Sequence, residues 1–252
     1  MVRKSFAWLI VAALAATAAG AQTADELIEK NVQAKGGREK LKAVQSVRMS
    51  GKMEVGPGAV APFTLEMKRP HKVRIEFTVQ GMTGIQAYDG AAGWMVMPFM
   101  GKKDPEAMPA DELKEMDDQA DFEGPLVDYK AKGHQVELVG KQDLEGTPAW
   151  KFKVTKKNGD VTYLYLDADA FLEVKEEGKR KVRGQDMEFE TIFGDYKPVE
   201  GVVFPHSIQS KAKGAPAGQT ITVDKIEINP EVADGRFAMP KVEKKEGAAP
   251  PK

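Results

Sequence analysis

Apolar and polar residues alternate along several stretches of this chain. In residues 47–55, 63–68 and 73–79 the odd-numbered positions are mostly apolar and the even-numbered positions are polar. A period of two puts successive side chains on opposite faces of a β-strand, so each stretch predicts a strand with one buried and one solvated face. Parallel strands covered on both faces have continuous apolar runs instead, and the alternation therefore predicts antiparallel sheet.

Strand patterns resume after residue 134 and continue almost to the C-terminus. In the last of them the apolar parity changes between Val223 and Ile226, which predicts a β-bulge near Asp224 and Lys225. The whole chain is expected to form about ten or eleven strands, joined by short connections rich in Gly, Pro and Asp. The later strands are expected at residues 135–144, 149–155, 161–166, 171–176, 187–196, 202–210 and 220–228.

Two segments have helical periodicity. The sequence Thr-Ala-Asp-Glu at 23–26 is a capping box, an apolar helical face follows it, and Gly36-Gly37 provides a C-terminal stop. An amphipathic helix is therefore expected near residue 24. Residues 105–132 predict one or two short helices, with Pro109 at a helix start and acidic residues in the first turn.

The fold class is therefore mainly β, of the α+β kind. A long antiparallel sheet with one apolar face must curl to bury that face, by closing on itself, by folding into a sandwich or by wrapping around helices. The two helical segments are available as cover. A sheet curled around loosely packed helices encloses an apolar cavity, and such a cavity is a ligand site by default.

The first 21 residues have the features of a cleavable signal peptide. A short cationic start at Arg3 and Lys4 precedes an apolar run over residues 7–19, and Ala-Gly-Ala at 19–21 is a small-residue cleavage site. The mature chain is expected to begin at Gln22 and to be exported from the cytoplasm, without a transmembrane segment. We expect one domain over residues 22–240 and a disordered tail over 241–252.

Composition excludes several classes of protein. The chain has no cysteine, which excludes disulfides, thiolate metal sites and lipid attachment to an N-terminal cysteine. Without Arg3 and Lys4, the mature chain has 35 basic and 38 acidic residues, a balance that argues against nucleic acid as a partner. Without disulfides, the interior must be stabilised by apolar packing. We expect the protein to be a monomer.

A set of short motifs spread over nearly the whole mature chain resembles the LolA-like outer-membrane lipoprotein-sorting family. The motifs are mostly turns and strand ends, and their order and spacing carry the resemblance. They are the opening 23–37, Tyr88-Asp89-Gly90 with Gly93-Trp94, Leu166-Asp167, Asp195-Tyr196 to Gly201, Val203-Phe204-Pro205-His206, and Ile228-Asn229-Pro230 to Phe237-x-Met239-Pro240.

The resemblance implies a periplasmic, unclosed antiparallel half-barrel whose concave face is covered by helices. The best-known family members carry lipoprotein acyl chains between membranes, and in the founding carrier an arginine within the barrel holds the helical lid closed. No arginine of this chain is matched to that one by motif, and Arg48, Arg69 and Arg74 are expected at the surface.

The Met-rich segment 94–100 is the strongest sequence candidate for a binding surface. Thioether side chains adapt to irregular ligands and aromatic rings supply contact area, although an ordinary core strand followed by a loop explains the same residues. We therefore keep both interpretations open. The residues predicted to line the cavity are Met53, Phe63, Leu65, Met67, Ile75, Phe77, Trp94, Met97, Phe99, Met100, Leu113 and Met116.

No motif indicates catalysis, a cofactor or a metal. His71, His134 and His206 are far apart in the sequence and lack metal-ligand spacing. The carboxylates of residues 111–121 are expected on the solvated face of a helix, and Asp167-x-Asp169 is too short for a calcium loop. Nucleophile elbows, phosphate loops and dinucleotide fingerprints do not occur in the sequence.

These observations favour a periplasmic carrier, not an enzyme, that binds the acyl chains of lipoproteins or other lipids and transfers them between membranes. Inner- or outer-membrane proteins are its expected partners. Two alternatives remain open: an amphiphile-binding or sensing module that acts through a membrane partner, and a hydrolase with an unrecognised carboxylate site. The sequence does not distinguish the cargo.

Overall fold

The computed structural model describes residues 22–56, 58–182, 184–216 and 218–241, without the side chains of 180–182. The predicted signal peptide and residues 242–252 of the predicted tail lie outside the described residues. In the described part of the chain, no helix is both long and apolar enough to cross a bilayer.

The described residues form one antiparallel sheet of thirteen strands. The strands of the first half are β1 Ser46–Gly56, β2 Ala59–Lys68, β3 Lys72–Val79, β4 Met82–Tyr88, β5 Gly93–Met97 and β6 Lys102–Ala107. Those of the second half are β7 Gln135–Leu144, β8 Thr147–Thr155, β9 Val161–Asp167, β10 Glu173–Val182, β11 Gln185–Val199, β12 Val202–Ala212 and β13 Gln219–Ile228.

The sheet consists of two meanders joined at its centre. Its strand order is β6-β5-β4-β3-β2-β1-β13-β12-β11-β10-β9-β8-β7, so β1 pairs with β13 while β6 and β7 remain as the two edges. The sheet is therefore not closed, in agreement with the expected half-barrel. Ser50 pairs with Lys225 and Gly51 with Val223, which leaves Asp224 as the extra residue of a bulge and confirms the bulge predicted there.

Three α-helices of the described residues lie against one face of this sheet, which we call the inner face. They are α1 Ala24–Ala34, α2 Arg38–Ala43 and α3 Ala110–Gln119. The capping box predicted for α1 is present, because Thr23 and Glu26 bond reciprocally to each other's backbone N–H groups. The short helix α2 was not predicted, since Gly37, the predicted helix stop, is also its N-cap.

The alternation seen in the sequence sets which residues enter the core. Val47, Met49 and Met53 of β1 point inward with the apolar residues of β2, and Leu27 and Val32 of α1 join them in one buried cluster. Gly84 leaves room on β4 for the rings of Phe77 and Phe99, whose centroids are 5.6 Å apart; a Cβ there would come within 3.0 Å of both rings.

Two strands beyond the expected ten or eleven were not predicted. Strand β4 has little apolar alternation, and β6, with the sequence Lys-Lys-Asp-Pro-Glu-Ala, has none. Residues 105–132 are accordingly not entirely helical, since Pro105 lies in an edge strand, where its missing N–H is tolerated. The helix predicted after Pro109 is confirmed as α3.

The C-terminal segment, residues 229–240, crosses the opposite, outer face of β1–β5. Phe237 is fully buried there, and its carbonyl accepts a 2.8 Å hydrogen bond from the indole Nε1 of Trp94. Arg236 Nε donates to Glu66 Oε2 at 2.6 Å, and Arg48 Nε donates to Glu66 Oε1 at 3.0 Å. This segment therefore covers the outer face as the helices cover the inner one.

A candidate ligand-binding cavity

A cavity of about 1570 Å³ lies on the inner face of β9–β12. Helix α3 and residues 121–125 bound one side, and α2 with Lys35 bounds the end where β12 begins. This volume exceeds the roughly 300–1,000 Å³ of ordinary small-molecule sites, so the cavity fits a large or extended ligand.

Apolar side chains form much of the cavity wall. Leu164 and Phe204 are almost completely buried, whereas Phe122 and Phe193 keep part of their surface exposed. Gly178 of β10 lies on this wall, and a Cβ at that position would come within 3.0 Å of Phe189 and of a Thr162 methyl carbon. The missing side chain therefore makes space for Phe189.

Charged and polar groups are placed among these apolar residues. Lys35 Nζ donates to Glu173 at 3.0 Å and to the Glu123 carbonyl at 2.8 Å at one end of the cavity. On the wall, Thr191 donates to Ser210 at 3.1 Å. The buried hydroxyl oxygen of Thr162 has no hydrogen-bond partner among the described residues. The cavity lining thus combines apolar side chains with many charged ones, which suits a ligand that has both a hydrocarbon part and a polar part.

Helix α3 bridges the two halves of the sheet above this cavity. On one side Met116 is buried in the core and Leu113 packs beside Gly93 of β5. The Asp117 carboxylate accepts a 3.0 Å hydrogen bond from the Tyr88 hydroxyl and contacts His71 Nδ1 at 2.9 Å. Burial, together with this carboxylate, raises the pKa of Tyr88 to about 12, so the phenol remains a donor.

The other side of α3 is attached to the β8–β9 connection. Lys156 Nζ lies 2.8 Å from the Asp118 carboxylate, and Lys114 pairs with Asp160. Asp118 and Asp121 line the cavity, so the expectation that the carboxylates of this segment occupy a solvated helix face was incomplete. The helix separates the predominantly apolar interior under β3–β5 from the more polar cavity.

The residues predicted to line the cavity lie elsewhere in the fold. Most pack in or against the hydrophobic core under β1–β5, Trp94 lies on the outer face beneath residue 237, and Met100 is 61% exposed in the β5–β6 connection. None of the twelve is among the residues lining the 1570 Å³ cavity. Their contact with a ligand remains a prediction. The core members are Met53, Phe63, Met67, Met97 and Met116, with Leu65, Ile75, Phe77, Phe99 and Leu113 packed against them.

The observed cavity is hard to predict from the sequence, because the strands that form it carry few apolar residues on their inner face. Glu176 and Gly178 of β10 and Thr191 of β11 occupy inward positions between Leu164 and the phenylalanines of β11. A search for apolar alternation therefore passes over β10. The unusual pairing of Gly178 with Phe189 is the one local signal of space on this wall.

The expected arginine positions also need correction. Arg74 is buried on the outer face, where its guanidinium lies over the ring of Trp94. Arg69 is half-buried and donates to the carbonyls of Leu41 and Val44 and to the Glu123 carboxylate at 2.7 Å. Arg69 therefore joins the β2–β3 connection to α2 and to the segment that follows α3.

The three histidines have separate environments. His134 Nδ1 accepts from the Lys157 backbone N–H at 3.1 Å, His71 contacts Asp117, and buried His206 lies 3.2 Å from the Phe204 carbonyl. Within the described ranges, no three His, Cys, Asp or Glu side chains are grouped to hold a metal ion. The volume of the cavity and its mixed apolar and charged lining make it a candidate binding site.

Comparison with known proteins identifies the fold. No protein-family model and no curated protein matches the sequence. Among solved structures, a DUF1329 family protein from Desulfovibrio piger has a TM-score of 0.60 at 11% identity over 86% of this chain and 98% of its own. A LolA superfamily protein from Nitrosomonas europaea has a TM-score of 0.58 at 12% identity, with the same coverage.

A third similar structure is a Vibrio parahaemolyticus domain described as an outer membrane lipoprotein-sorting protein. Its TM-score is 0.57 at 9% identity, over 84% of this chain and 94% of that domain. These similarities place the chain among proteins with the LolA-type half-barrel fold. They confirm, at the level of fold, the resemblance seen in the sequence motifs.

Proposed function

We propose that this protein binds acyl chains of lipids or lipoproteins in the cavity beneath α3 and carries them between membranes. The observation that carries the proposal is the 1570 Å³ cavity on the inner face of a LolA-type sheet, whose lining combines apolar side chains with charged ones. The neighbouring folds include a protein described as lipoprotein-sorting, which agrees with this cargo class. No chemical step on the ligand is required.

Burial of hydrocarbon supplies the affinity in this proposal. Each buried methylene contributes about 0.8 kcal/mol, so one long acyl chain is enough for strong binding. The charged residues at the cavity ends, such as Lys35 with Glu173, would remain near the ligand's polar group. Release requires competition from an acceptor, such as a membrane or a protein embedded in it.

The proposed setting is the periplasm, reached through the signal peptide expected at residues 1–21. A carrier in an aqueous compartment must hide the acyl chain while it travels, and a cavity covered by α3 meets that requirement. Membrane proteins that supply or accept the cargo are the expected partners, and the working unit is expected to be a monomer.

The proposal is tested by titrating the mature protein with an environment-sensitive fatty-acid probe in vesicle-free buffer. Phe193 lines the cavity, whereas its neighbour Ile192 is 41% exposed on the outer face. We expect Phe193→Asp to weaken probe binding about tenfold or more, because a carboxylate would then face hydrocarbon.

Ile192→Asp is the matched control, with the same new charge one residue away, and it should bind the probe like the wild type. Circular dichroism and urea unfolding of both variants establish that they are folded. Absence of saturable probe binding by the wild type, or equal binding by both variants, would contradict the assignment of this cavity.

A further inference from the structure

Exposed apolar side chains are concentrated at one end of the half-barrel. Eight large hydrophobic residues of the described chain are exposed, and five of them lie within three residues of hairpin connections at the same end of the sheet. We call these five the apolar rim: Val55 (38% exposed), Val60 (57%), Met82 (37%), Met100 (61%) and Met187 (39%). The other three are Val139, Ile192 and Met239.

The strand register places these connections side by side. In an antiparallel meander, every second connection lies at the same end, here the connections β1–β2, β3–β4, β5–β6, β8–β9, β10–β11 and β12–β13. Phe77 pairs with both Phe63 and Gly84, and Met53 pairs with both Ala61 and Ile221, so the neighbouring hairpins end at similar heights. The apolar rim therefore lies across three adjacent hairpins, β1–β2, β3–β4 and β5–β6, with Met187 on the β10–β11 hairpin beyond β12 and β13.

The charge of this end differs from that of the other end. Among the side chains that the structure describes, those within three residues of the rim connections include seven basic and four acidic ones. They are Lys102, Lys103, Lys153, Lys156, Lys157, Lys211 and Lys213, and Glu54, Asp104, Asp160 and Asp186. Counted in the same way, the connections at the opposite end, 69–71, 89–92, 145–146, 168–172 and 200–201, have six basic against eight acidic residues. These are Lys68, Arg69, Lys72, Arg74, Lys175 and Lys197, and Glu66, Asp89, Asp143, Glu145, Asp167, Asp169, Glu173 and Glu200. Basic charge thus accompanies the exposed apolar residues.

The cavity reaches this same end of the molecule. Gly184, Asp186 and Lys213, which lie at or beside the rim connections, are among its lining residues, and the cavity extends from there to Leu41 and Val44 at the other end. A surface in contact with the rim would therefore lie next to one end of the cavity.

We propose that the apolar rim docks on an anionic lipid surface. Apolar side chains enter the interfacial region of a bilayer, and neighbouring lysines and arginines are attracted to anionic head groups. The five apolar side chains are distributed over four hairpin ends, an arrangement that suits insertion between lipid head groups. The proposal rests on the proposed function, because docking there would place the cavity end at the source or acceptor of the acyl chain.

The test measures co-sedimentation of the mature protein with vesicles of phosphatidylglycerol and phosphatidylcholine mixed in equal parts, and with vesicles of phosphatidylcholine alone. We expect binding to the anionic vesicles that weakens as salt is added. The triple variant Val60→Ser, Met82→Ser, Met100→Ser should lower this binding about tenfold or more. The triple variant Val139→Ser, Ile192→Ser, Met239→Ser removes as many exposed apolar side chains elsewhere and should bind like the wild type.

Three results would overturn the proposal: no vesicle binding by the wild type, equal binding to neutral vesicles, or equal losses of binding in the two triple variants. If the wild type bound no vesicles, the rim would be assigned to a protein partner instead. Probe binding in vesicle-free buffer separates this result from the proposed function. A rim variant that keeps its probe affinity but loses vesicle binding supports both proposals. Vesicle binding by a wild type that does not bind the probe would overturn only the carrier function.

Discussion

Glu66 shows how the outer face of this sheet is held to the C-terminal segment. Its carboxylate is only 3% exposed, and both of its oxygens accept hydrogen bonds from guanidinium groups, those of Arg48 and Arg236. A buried carboxylate is tolerated when it is paired and fully hydrogen-bonded in this way. The pairing also positions Phe237, the next residue, over Trp94.

Phe237 should therefore be a major source of stability. Its side chain is fully buried, and we expect Phe237→Ala to lower the free energy of unfolding by about 3–5 kcal/mol. Urea unfolding measures the loss. Met239→Ala, at a position 47% exposed in the same segment, should change stability by only about 0.5 kcal/mol. Similar small effects of both substitutions would mean that the segment does not pack as described.

His134 should make folding sensitive to mild acid. Burial lowers its pKa from the usual value of about 6.5, and its Nδ1 accepts a backbone hydrogen bond only when unprotonated. Because the unfolded chain takes up a proton first, stability is complete above pH 6.5 and falls as the pH drops below it.

Unfolding of the wild type in urea at pH 7.5 and 5.5 should show this loss. The loss should be smaller for His134→Asn, which has no imidazole to protonate. His71→Asn is the control, because it removes a different histidine and should retain the loss. An unchanged pH dependence in His134→Asn would show that other groups cause it.

At the scale of elements, α3 is attached to the β8–β9 connection through the pairs Lys156–Asp118 and Lys114–Asp160. Two such pairs contribute about 1 kcal/mol together, so Lys114→Ala with Lys156→Ala should speed dissociation of a bound acyl probe about fivefold. Stopped-flow transfer to excess acceptor vesicles measures the rate.

The control for α3 is Lys153→Ala, which removes a lysine paired with Glu137 between β8 and β7, away from the helix. Its dissociation rate should equal that of the wild type. If the double variant is stably folded and releases the probe no faster, α3 does not restrict exit from the cavity.

Elements with a strong local pattern could be predicted from the sequence, and those shaped by their neighbours could not. The alternation in β1–β3 and the capping box of α1 each fix their element locally. Strand β6 forms from Lys-Lys-Asp-Pro-Glu-Ala only because the edge of β5 is available to pair with it. The cavity is less predictable still, because Gly178 and Glu176 become wall residues only when β9 and β11 flank β10.

At the scale of the whole molecule, a single sheet has different covers on its two faces. The helices and the cavity occupy the inner face. The C-terminal segment, residues 229–240, covers the outer face. The sheet edges β6 and β7 are left unpaired, and the proline of β6 and the bulge at Val139 of β7 discourage pairing with other chains.

The pairing of β1 with β13 also determines when the full sheet can form during folding. Within each half of the sheet, the paired strands are neighbours in sequence. The two central strands of the whole sheet, β1 and β13, are instead separated in sequence by almost the whole domain. Contacts of such long range form late and slowly, because the chain between them must first be brought into place. A chain emerging from its N-terminus would therefore remain two separate meanders until β13 had also emerged. The two meanders become one sheet only when β13 pairs with β1, so formation of this central seam requires both halves of the sheet to be present.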